Sequence, residues 1–274
     1  MVRSKLNPYG LLLTALFFSG CARAQIIPTV PLPEGTIPAL KKIPLGEELE
    51  YKVAWWGVPV GLVSLKSSPS LEREPSSGKK TLKLTVEGRS NVYLEMFYPV
   101  LVRITSWIDP EGPAPLASQA FVKRRWRRHE SQITFDRAKG EALHQLPKGR
   151  SATVPVTPAT QDGLSVLYYV RTLELHVGQT LPLEITADGK NWHLNGKILR
   201  LSTIKLSHEG SWMAVEGQAE LAYPVPFFQG SRARVWFSAD AERIPLYARI
   251  HSRIGPVTVV LIKRTQTGHS NVPS

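Results

Sequence analysis

Residues 47–53 read EELEYKV, and this stretch decides the fold class because apolar and charged side chains alternate along it. Leu49, Tyr51 and Val53 fall on one face of an extended chain, which is typical of a strand with one buried face. Residues 81–89, TLKLTVEGR, repeat the same alternation. The sequence therefore predicts an all-β, mainly antiparallel domain.

Similar stretches recur along the rest of the chain, with Pro and Gly mostly between them, where these residues disturb a strand least. They lie at residues 61–66, 99–108, 118–126, 131–135, 181–186, 191–201, 211–221, 233–238, 245–252 and 257–264. Asp188-Gly189 separates two of them and is a strong hairpin signal. So many short strands predict a strongly curved meander that forms an open barrel or a sandwich.

One short helix interrupts the strands over residues 162–171. Asp162 stands where an N-cap is expected, and helical spacing follows at Leu164, Leu167, Tyr168 and Arg171. Arg171 is expected to pair with a carboxylate such as Asp136 or Asp240 in a structural network.

The N-terminus has the pattern of an export signal: two basic residues, a short apolar run, and small residues ahead of Cys21. Phe18-Ser19-Gly20-Cys21 is similar to a bacterial lipobox, in which Cys21 is lipidated and becomes the first residue. Ala22-Arg23-Ala24 offers a second cleavage site, before Gln25. Cys21 is the single cysteine, so no disulfide can form within the chain.

We expect a signal peptide over residues 1–20, a lipidated Cys21 with a Pro-rich tether over 21–43, a β domain over 44–265 and a disordered tail over 266–274. Ala22 follows the cysteine in place of the Asp that retains some lipoproteins at the inner membrane. The expected location is therefore the periplasm, with an anchor in the outer membrane.

Charge is the main clue to partners, since 34 Lys and Arg residues against 22 Asp and Glu residues give a formal net charge of +12. The densest cluster is Lys123-Arg124-Arg125-Trp126-Arg127-Arg128-His129. On one strand it would place cations on both faces, with Arg124, Trp126 and Arg128 sharing one of them. Two interpretations stay open: arginines that bind phosphates of lipid or lipopolysaccharide, and an edge strand protected by charge against aggregation. Nucleic acid is not expected as a partner of an exported protein.

The sequence predicts no catalytic residue, no metal site and no cofactor. Ser165 lacks the G-x-S-x-G context of a hydrolase nucleophile, and the seven histidines show no metal-ligand spacing. Dispersed acids for glycan hydrolysis would come from Asp109, Asp136, Asp162 and Asp240, most of them in turn or cap contexts.

Aromatic pairs such as Trp55-Trp56 and Phe227-Phe228 are either core residues or the lining of a lipid-binding mouth. If extended, Trp55 and Trp56 point to opposite faces, one into the core and one outward.

Four short motifs are distributed along most of the chain. They are Gly46-Glu47-x-Leu49-x-Tyr51 with Gly57 and Gly61; Ser131-x-x-Thr134-Phe135-Asp136; Gln161-Asp162-x-Leu164-Ser165-x-Leu167-Tyr168-x-x-Arg171; and Asp240-x-x-Arg243-Ile244-Pro245 with Gly255. In this order they resemble the bacterial domain-of-unknown-function 3108 family over residues 46–262. The family is exported and largely uncharacterised. The resemblance therefore implies a curved antiparallel fold and export from the cytoplasm, but no reaction. It also marks Asp162, Ser165, Tyr168, Arg171, Asp240 and Arg243 as structural positions.

Three functions remain as hypotheses. The first is a non-enzymatic envelope lipoprotein that binds a lipid, a glycolipid or an envelope protein, with Arg124, Arg125, Trp126, Arg127 and Arg128 as ligand-binding residues. The second is an envelope hydrolase of glycans, and the third is a structural scaffold. The sequence leaves the oligomeric state open.

Overall fold

The computed structural model describes residues 24–28, 37–221, 231–252 and 255–267. The predicted signal peptide and Cys21 lie outside the described residues, as do the loop with Phe227 and Phe228 and the end of the predicted tail.

Sixteen strands and two α-helices form in these residues. The strands are β1 Ala24–Pro28, β2 Glu47–Trp55, β3 Val58–Ser67, β4 Glu72–Arg73, β5 Lys80–Ser90, β6 Val100–Ile108, β7 Pro115–Arg124, β8 Arg127–Asp136, β9 Glu141–Leu146, β10 Arg150–Pro155, β11 Thr180–Ala187, β12 Lys190–Leu206, β13 Gly210–Leu221, β14 Ser231–Ser238, β15 Pro245–Ser252 and β16 Gly255–Gln266. The helices are α1 Val92–Glu95 and α2 Ser165–Thr172, with a single 3-10 turn at Pro147–Gly149.

Fourteen of the strands form one open antiparallel sheet in the order β1-β12-β13-β14-β15-β16-β2-β3-β5-β6-β7-β8-β9-β10. Beside this path, β11 pairs with β12 and β4 pairs with β5. Two meanders compose the sheet, β2 to β10 and β12 to β16, and the pairing of β16 with β2 joins them. This confirms the predicted all-β class and the open, curved meander. It also confirms the hairpin at Asp188-Gly189, which connects β11 to β12.

The alternation that predicts β2 is the alternation that builds the core. Leu49 and Tyr51 are buried, as are Leu65 and Leu84 on the neighbouring strands, whereas Glu50 is not. Burial of each large apolar side chain contributes about 1.5–3 kcal/mol. Leu164 and Tyr168 of α2 belong to the same cluster, so the helix packs against this face of the sheet.

Three local predictions need correction. Strand β9 was not predicted, because its buried face carries the small Ala142 and the polar His144, which hide the apolar alternation. A second short helix, α1, follows Asn91, whose side chain accepts the Leu94 N–H at 2.8 Å. Segments of the predicted tether are docked on the domain: β1 pairs with β12, and Ile37, Leu40 and Ile43 are buried.

A buried ion pair fixes α2 to the start of β2. Arg171 Nη1 and Nη2 donate to the two carboxylate oxygens of Glu47 at 2.6 and 2.8 Å, and the two side chains are 0% and 1% exposed. Arg171 therefore pairs with a carboxylate as predicted, but the partner is Glu47. The proposed partners are engaged elsewhere: Asp136 pairs with Lys139, and Asp240 caps its own turn through the N–H of Glu242.

α2 begins at Ser165 with Leu164 as its N-cap, later than predicted, but Asp162 still accepts N–H groups at the start of the helix. Its Oδ1 accepts the N–H groups of Leu164 at 2.7 Å and Ser165 at 2.9 Å, and its Oδ2 accepts the Ser106 hydroxyl of β6 at 2.5 Å. Burial raises the pKa of the Asp162 carboxyl, while these hydrogen bonds oppose the rise. Arg243 is also fully buried, and it donates to the carbonyls of Ile37 and Pro38.

Removal of one partner of the Glu47–Arg171 pair leaves a buried charge without compensation. We expect Arg171→Met and Glu47→Leu each to lower the free energy of unfolding by about 3–5 kcal/mol, and the double variant that combines them to lower it by less than either single change. Urea denaturation of the three variants tests this. A double variant as unstable as the sum of the single variants would contradict it.

His144 makes stability depend on pH. Its Nδ1 accepts the Gly189 N–H at 3.1 Å and its Nε2 lies 2.9 Å from the Thr186 hydroxyl, so the ring must be neutral to make both bonds. Burial lowers the pKa of His144 below its ordinary value, and the charge of Asp188 opposes this.

Because the pKa of His144 is lower in the folded state than in the unfolded state, its contribution to the free energy of unfolding is largest above the unfolded-state pKa of about 6.5. This contribution is lost as the pH falls toward the folded-state pKa. Between pH 7.5 and 5.5, the free energy of unfolding should therefore fall more in the natural chain than in His144→Gln. Urea denaturation at the two pH values measures the difference, and equal losses would count against a neutral His144.

Candidate functional site

The basic cluster lies at the tip of a hairpin. Lys123 and Arg124 end β7, Arg127 and Arg128 begin β8, and the chain reverses at Arg125-Trp126 between them. The predicted single strand with two cationic faces is therefore wrong. The edge-strand interpretation is also wrong, because β8 pairs with β9 on its other side.

Among the described residues of the first meander, three connections lie together at this end of the sheet: the β2–β3 turn, the loop between β5 and β6 that contains α1, and the β7–β8 turn. The Asn91 N–H donates to the Val60 carbonyl at 2.9 Å, which ties the α1 loop to β3. The Arg125 N–H donates to the Pro99 carbonyl at 2.9 Å, which ties the β7–β8 turn to the same loop. Segments separated in sequence thus form one continuous surface.

Large apolar side chains are exposed along this surface, which we call the aromatic rim. Nine of the seventeen exposed large apolar residues of the described structure belong to it: Trp55, Trp56, Val58, Val92, Tyr93, Met96, Phe97, Tyr98 and Trp126. Trp126 is 83% exposed, Met96 77% and Phe97 73%. Soluble proteins seldom expose a contiguous apolar patch of this kind unless it meets a partner or a membrane.

The rim corrects the prediction for the Trp55-Trp56 pair, since neither side chain is buried in the core. They are 42% and 65% exposed, because Trp56 stands in the turn with a φ of 52° and does not continue the strand. Its indole lies where a Cβ at Gly255 would be, so the rim extends to the start of β16.

Cations border the aromatic rim. Among the described residues, Lys123, Arg124, Arg125 and Arg127 form no salt bridge, and Arg128 makes only a long contact of 3.5 Å with Glu130. The guanidinium carbon of Arg125 lies 4.6 Å from the ring centroid of Trp126 and 5.8 Å from that of Tyr98. The hairpin tip thus presents positive charge and aromatic surface together.

Two rim turns have residues that do not suit their backbone. Trp56 and Arg125 have φ values of 52° and 51°, in the left-handed region where bulky residues are unfavourable. The Asp188-Gly189 turn has φ values of 50° and 76° and carries the residue types that such turns prefer. Unfavourable residues held at exposed tips are characteristic of functional positions.

The four aspartates considered for catalysis accept backbone hydrogen bonds within their own turns. The Asp109 carboxylate accepts the Glu111 N–H at 2.9 Å, and that of Asp136 accepts the Lys139 N–H at 3.1 Å. Asp162 and Asp240 accept backbone N–H groups in the same manner. In the described residues there is no group of three His, Cys, Asp or Glu side chains able to hold a metal ion.

Ser165 is fully buried at the start of α2, and its hydroxyl accepts the Asp162 N–H at 2.9 Å. Its hydroxyl is thus engaged in the hydrogen bonding at the start of the helix.

Comparison with known sequences assigns the family. The profile described as "Protein of unknown function (DUF3108)" matches residues 50–262. The chain belongs to the DUF3108 family. No curated protein matches the chain.

Among solved structures, this DUF3108 chain is similar to a beta-barrel-like protein of domain of unknown function DUF1849 from Brucella abortus. The two share 8% sequence identity and a TM-score of 0.56, over 82% of this chain and 99% of the other. This likeness shows the fold, which agrees with the open antiparallel sheet. No helix in the described part of the DUF3108 chain has the length and apolar character needed to span a membrane.

If the rim turns are shaped for function, relief of their backbone strain should stabilise the fold. Arg125→Gly places at this position the residue that tolerates positive φ, and we expect it to raise the free energy of unfolding by about 0.5 kcal/mol. Urea denaturation measures the change. A loss of more than about 1 kcal/mol would instead show that the Arg125 side chain stabilises the tip more than the strain destabilises it.

Proposed function

We propose that this chain is a non-enzymatic lipoprotein of the cell envelope that binds anionic lipid surfaces through the aromatic rim and its bordering cations. The observation that carries the proposal is the combination at the β7–β8 tip: exposed Trp126 next to arginines that have no carboxylate partner among the described residues. An acidic lipid surface supplies the missing negative charge, and its interfacial layer accommodates aromatic rings.

Both parts of the rim contribute to binding. Each Lys or Arg close to an anionic membrane contributes about 1 kcal/mol. Apolar side chains that enter the interface add the free energy of their burial, about 25 cal/mol per Å². Trp126, Phe97 and Met96 are the most exposed apolar residues of the rim and are the expected points of insertion.

Lipidation of Cys21 would add a covalent anchor. Cys21 precedes β1 by three residues, which span at most about 10 Å when extended. Ala24 pairs with Leu206 beside the β12–β13 turn, at the end of the sheet opposite the rim, so the acyl anchor and the rim would be separate attachments at opposite ends of the domain. The anchor would hold the domain in the predicted periplasmic, outer-membrane location, and the rim would bind lipid independently of it.

Vesicle binding tests the charge contribution. The chain is made with Cys21→Ser so that no acyl chain takes part, and is mixed with vesicles of phosphatidylglycerol and phosphatidylethanolamine. We expect Lys123→Gln, Arg124→Gln and Arg127→Gln together to remove about 3 kcal/mol of binding free energy, an affinity loss of about 100-fold. Co-sedimentation at low and high salt measures it.

A matched control removes the same charge elsewhere: Lys79→Gln, Lys80→Gln and Lys139→Gln lie on turns at the opposite ends of β5 and β8. This control should bind as the natural chain does. Met96→Ser, Phe97→Ser and Trp126→Ser should weaken binding at both salt concentrations, since apolar burial is little screened. Equal weakening in the rim and control charge variants, or equal binding to neutral phosphatidylcholine vesicles, would refute the proposal.

A further inference from the structure

A row of uncharged polar side chains crosses four neighbouring strands below the rim. Thr105 of β6 is paired with Gln119 of β7, Gln119 with Gln132 of β8, and Gln132 with Gln145 of β9. Gln119 and Gln145 are exposed and Gln132 is half-buried, whereas Thr105 is buried, as are Ser106, Ser118, Ile133 and His144 beside the row. Because side chains alternate across a strand, the polar row lies on the opposite face of the sheet.

The polar row forms the floor of a surface groove of about 510 Å³. Arg103, Phe121 and Glu130 form a second, parallel row within the groove, in direct register with one another. Arg128 and Leu146 complete its margins. The groove is therefore continuous with the base of the β7–β8 hairpin and separate from the exposed rim.

The three glutamines offer their amides to a ligand. Among the described residues, no side chain or backbone group forms a hydrogen bond with the amide of Gln119, Gln132 or Gln145. Each amide has two donors and one acceptor with two lone pairs, and neighbouring strands place successive amides about 4.8 Å apart. A regular row of mixed donors and acceptors is complementary to the successive hydroxyl groups of a sugar chain.

Each arginine of the groove has a carboxylate within reach, whereas Lys123, Arg124, Arg125 and Arg127 of the hairpin tip form no salt bridge among the described residues. Arg103 Nε lies 2.7 Å from a Glu87 carboxylate oxygen, and Arg128 makes its longer contact of 3.5 Å with Glu130. Phe121 supplies an aromatic ring, with the Arg128 guanidinium carbon 5.3 Å from its centroid. These features suit a polar ligand without net charge that has some apolar C–H surface.

The position of the polar row also disfavours a bound peptide strand. Extended peptides join sheets at open edges, through backbone hydrogen bonds. β6, β7, β8 and β9 are each paired on both sides, so a ligand on this face meets side chains alone. From the register, the unengaged amides and the carboxylate beside each arginine, we infer that this groove binds a neutral oligosaccharide.

An array of immobilised neutral oligosaccharides, three to six hexose or N-acetylhexosamine units in α and β linkage, tests the inference. We expect the full chain to retain at least one of them. Gln119→Ala, Gln132→Ala and Gln145→Ala together should weaken retention at least tenfold, with the near-ultraviolet circular dichroism unchanged.

Two further variants sharpen the test. Gln132→Glu keeps the size of the side chain and removes the amide donors, so it should weaken retention without any effect on folding. Gln218→Ala, on β13 outside the groove, is the matched control and should leave retention unchanged. The inference is overturned if no neutral sugar is retained, or if the triple variant retains it as well as the natural chain does.

The sugar site and the proposed membrane function can fail independently. The variant with Lys123→Gln, Arg124→Gln and Arg127→Gln should lose vesicle binding and keep sugar binding, and the glutamine variants should do the reverse. Loss of both activities in either variant would assign them to one surface and overturn a separate sugar groove.

Discussion

The buried pair of Glu47 and Arg171 is the constraint on which the rest of the structure depends. Glu47 begins β2, the strand that joins the two meanders, and Arg171 lies in the last turn of α2. Arg171 also donates to the Glu242 carbonyl at 3.0 Å, close to the start of β15. One guanidinium thus holds the helix, the first meander and the second meander together, and the open sheet stays curved around α2.

This framework explains why the rim can expose so much apolar surface and unpaired charge without loss of the fold. The strands below it are paired on both sides, and their buried face is fixed by the core and by α2. Because the rigid strands maintain the fold, the residues of the turns at their ends can be selected for binding. The same separation between a stable core and variable tips explains the unfavourable backbone at Trp56 and Arg125. Their strain is confined to the turns, and the free energy of folding comes from the core.

Local patterns in the sequence were enough to predict most strands, the Asp188-Gly189 hairpin and the short helix α2. Sequence reasoning missed the partner of Arg171 because Glu47 lies 124 residues away in sequence. It misplaced Arg125-Trp126 because neither is a usual turn residue. It overlooked the polar row, although Thr105, Gln119, Gln132 and Gln145 recur at nearly constant spacing, as the repeat of a meander requires. The sequence could not predict the rim as one surface, because its three segments are brought together only by the pairing of the strands.

We propose that, of the part of the chain that the structure describes, the rim end of the sheet is where the protein meets the membrane. Hydrogen–deuterium exchange of the chain with Cys21→Ser, alone and with saturating phosphatidylglycerol vesicles, tests it most directly. The account predicts slower amide exchange in the presence of vesicles at residues 55–58, 91–99 and 124–127, and unchanged exchange in the turns at 109–114 and 137–140. Protection of those opposite turns, or no protection at the three tips, would contradict it.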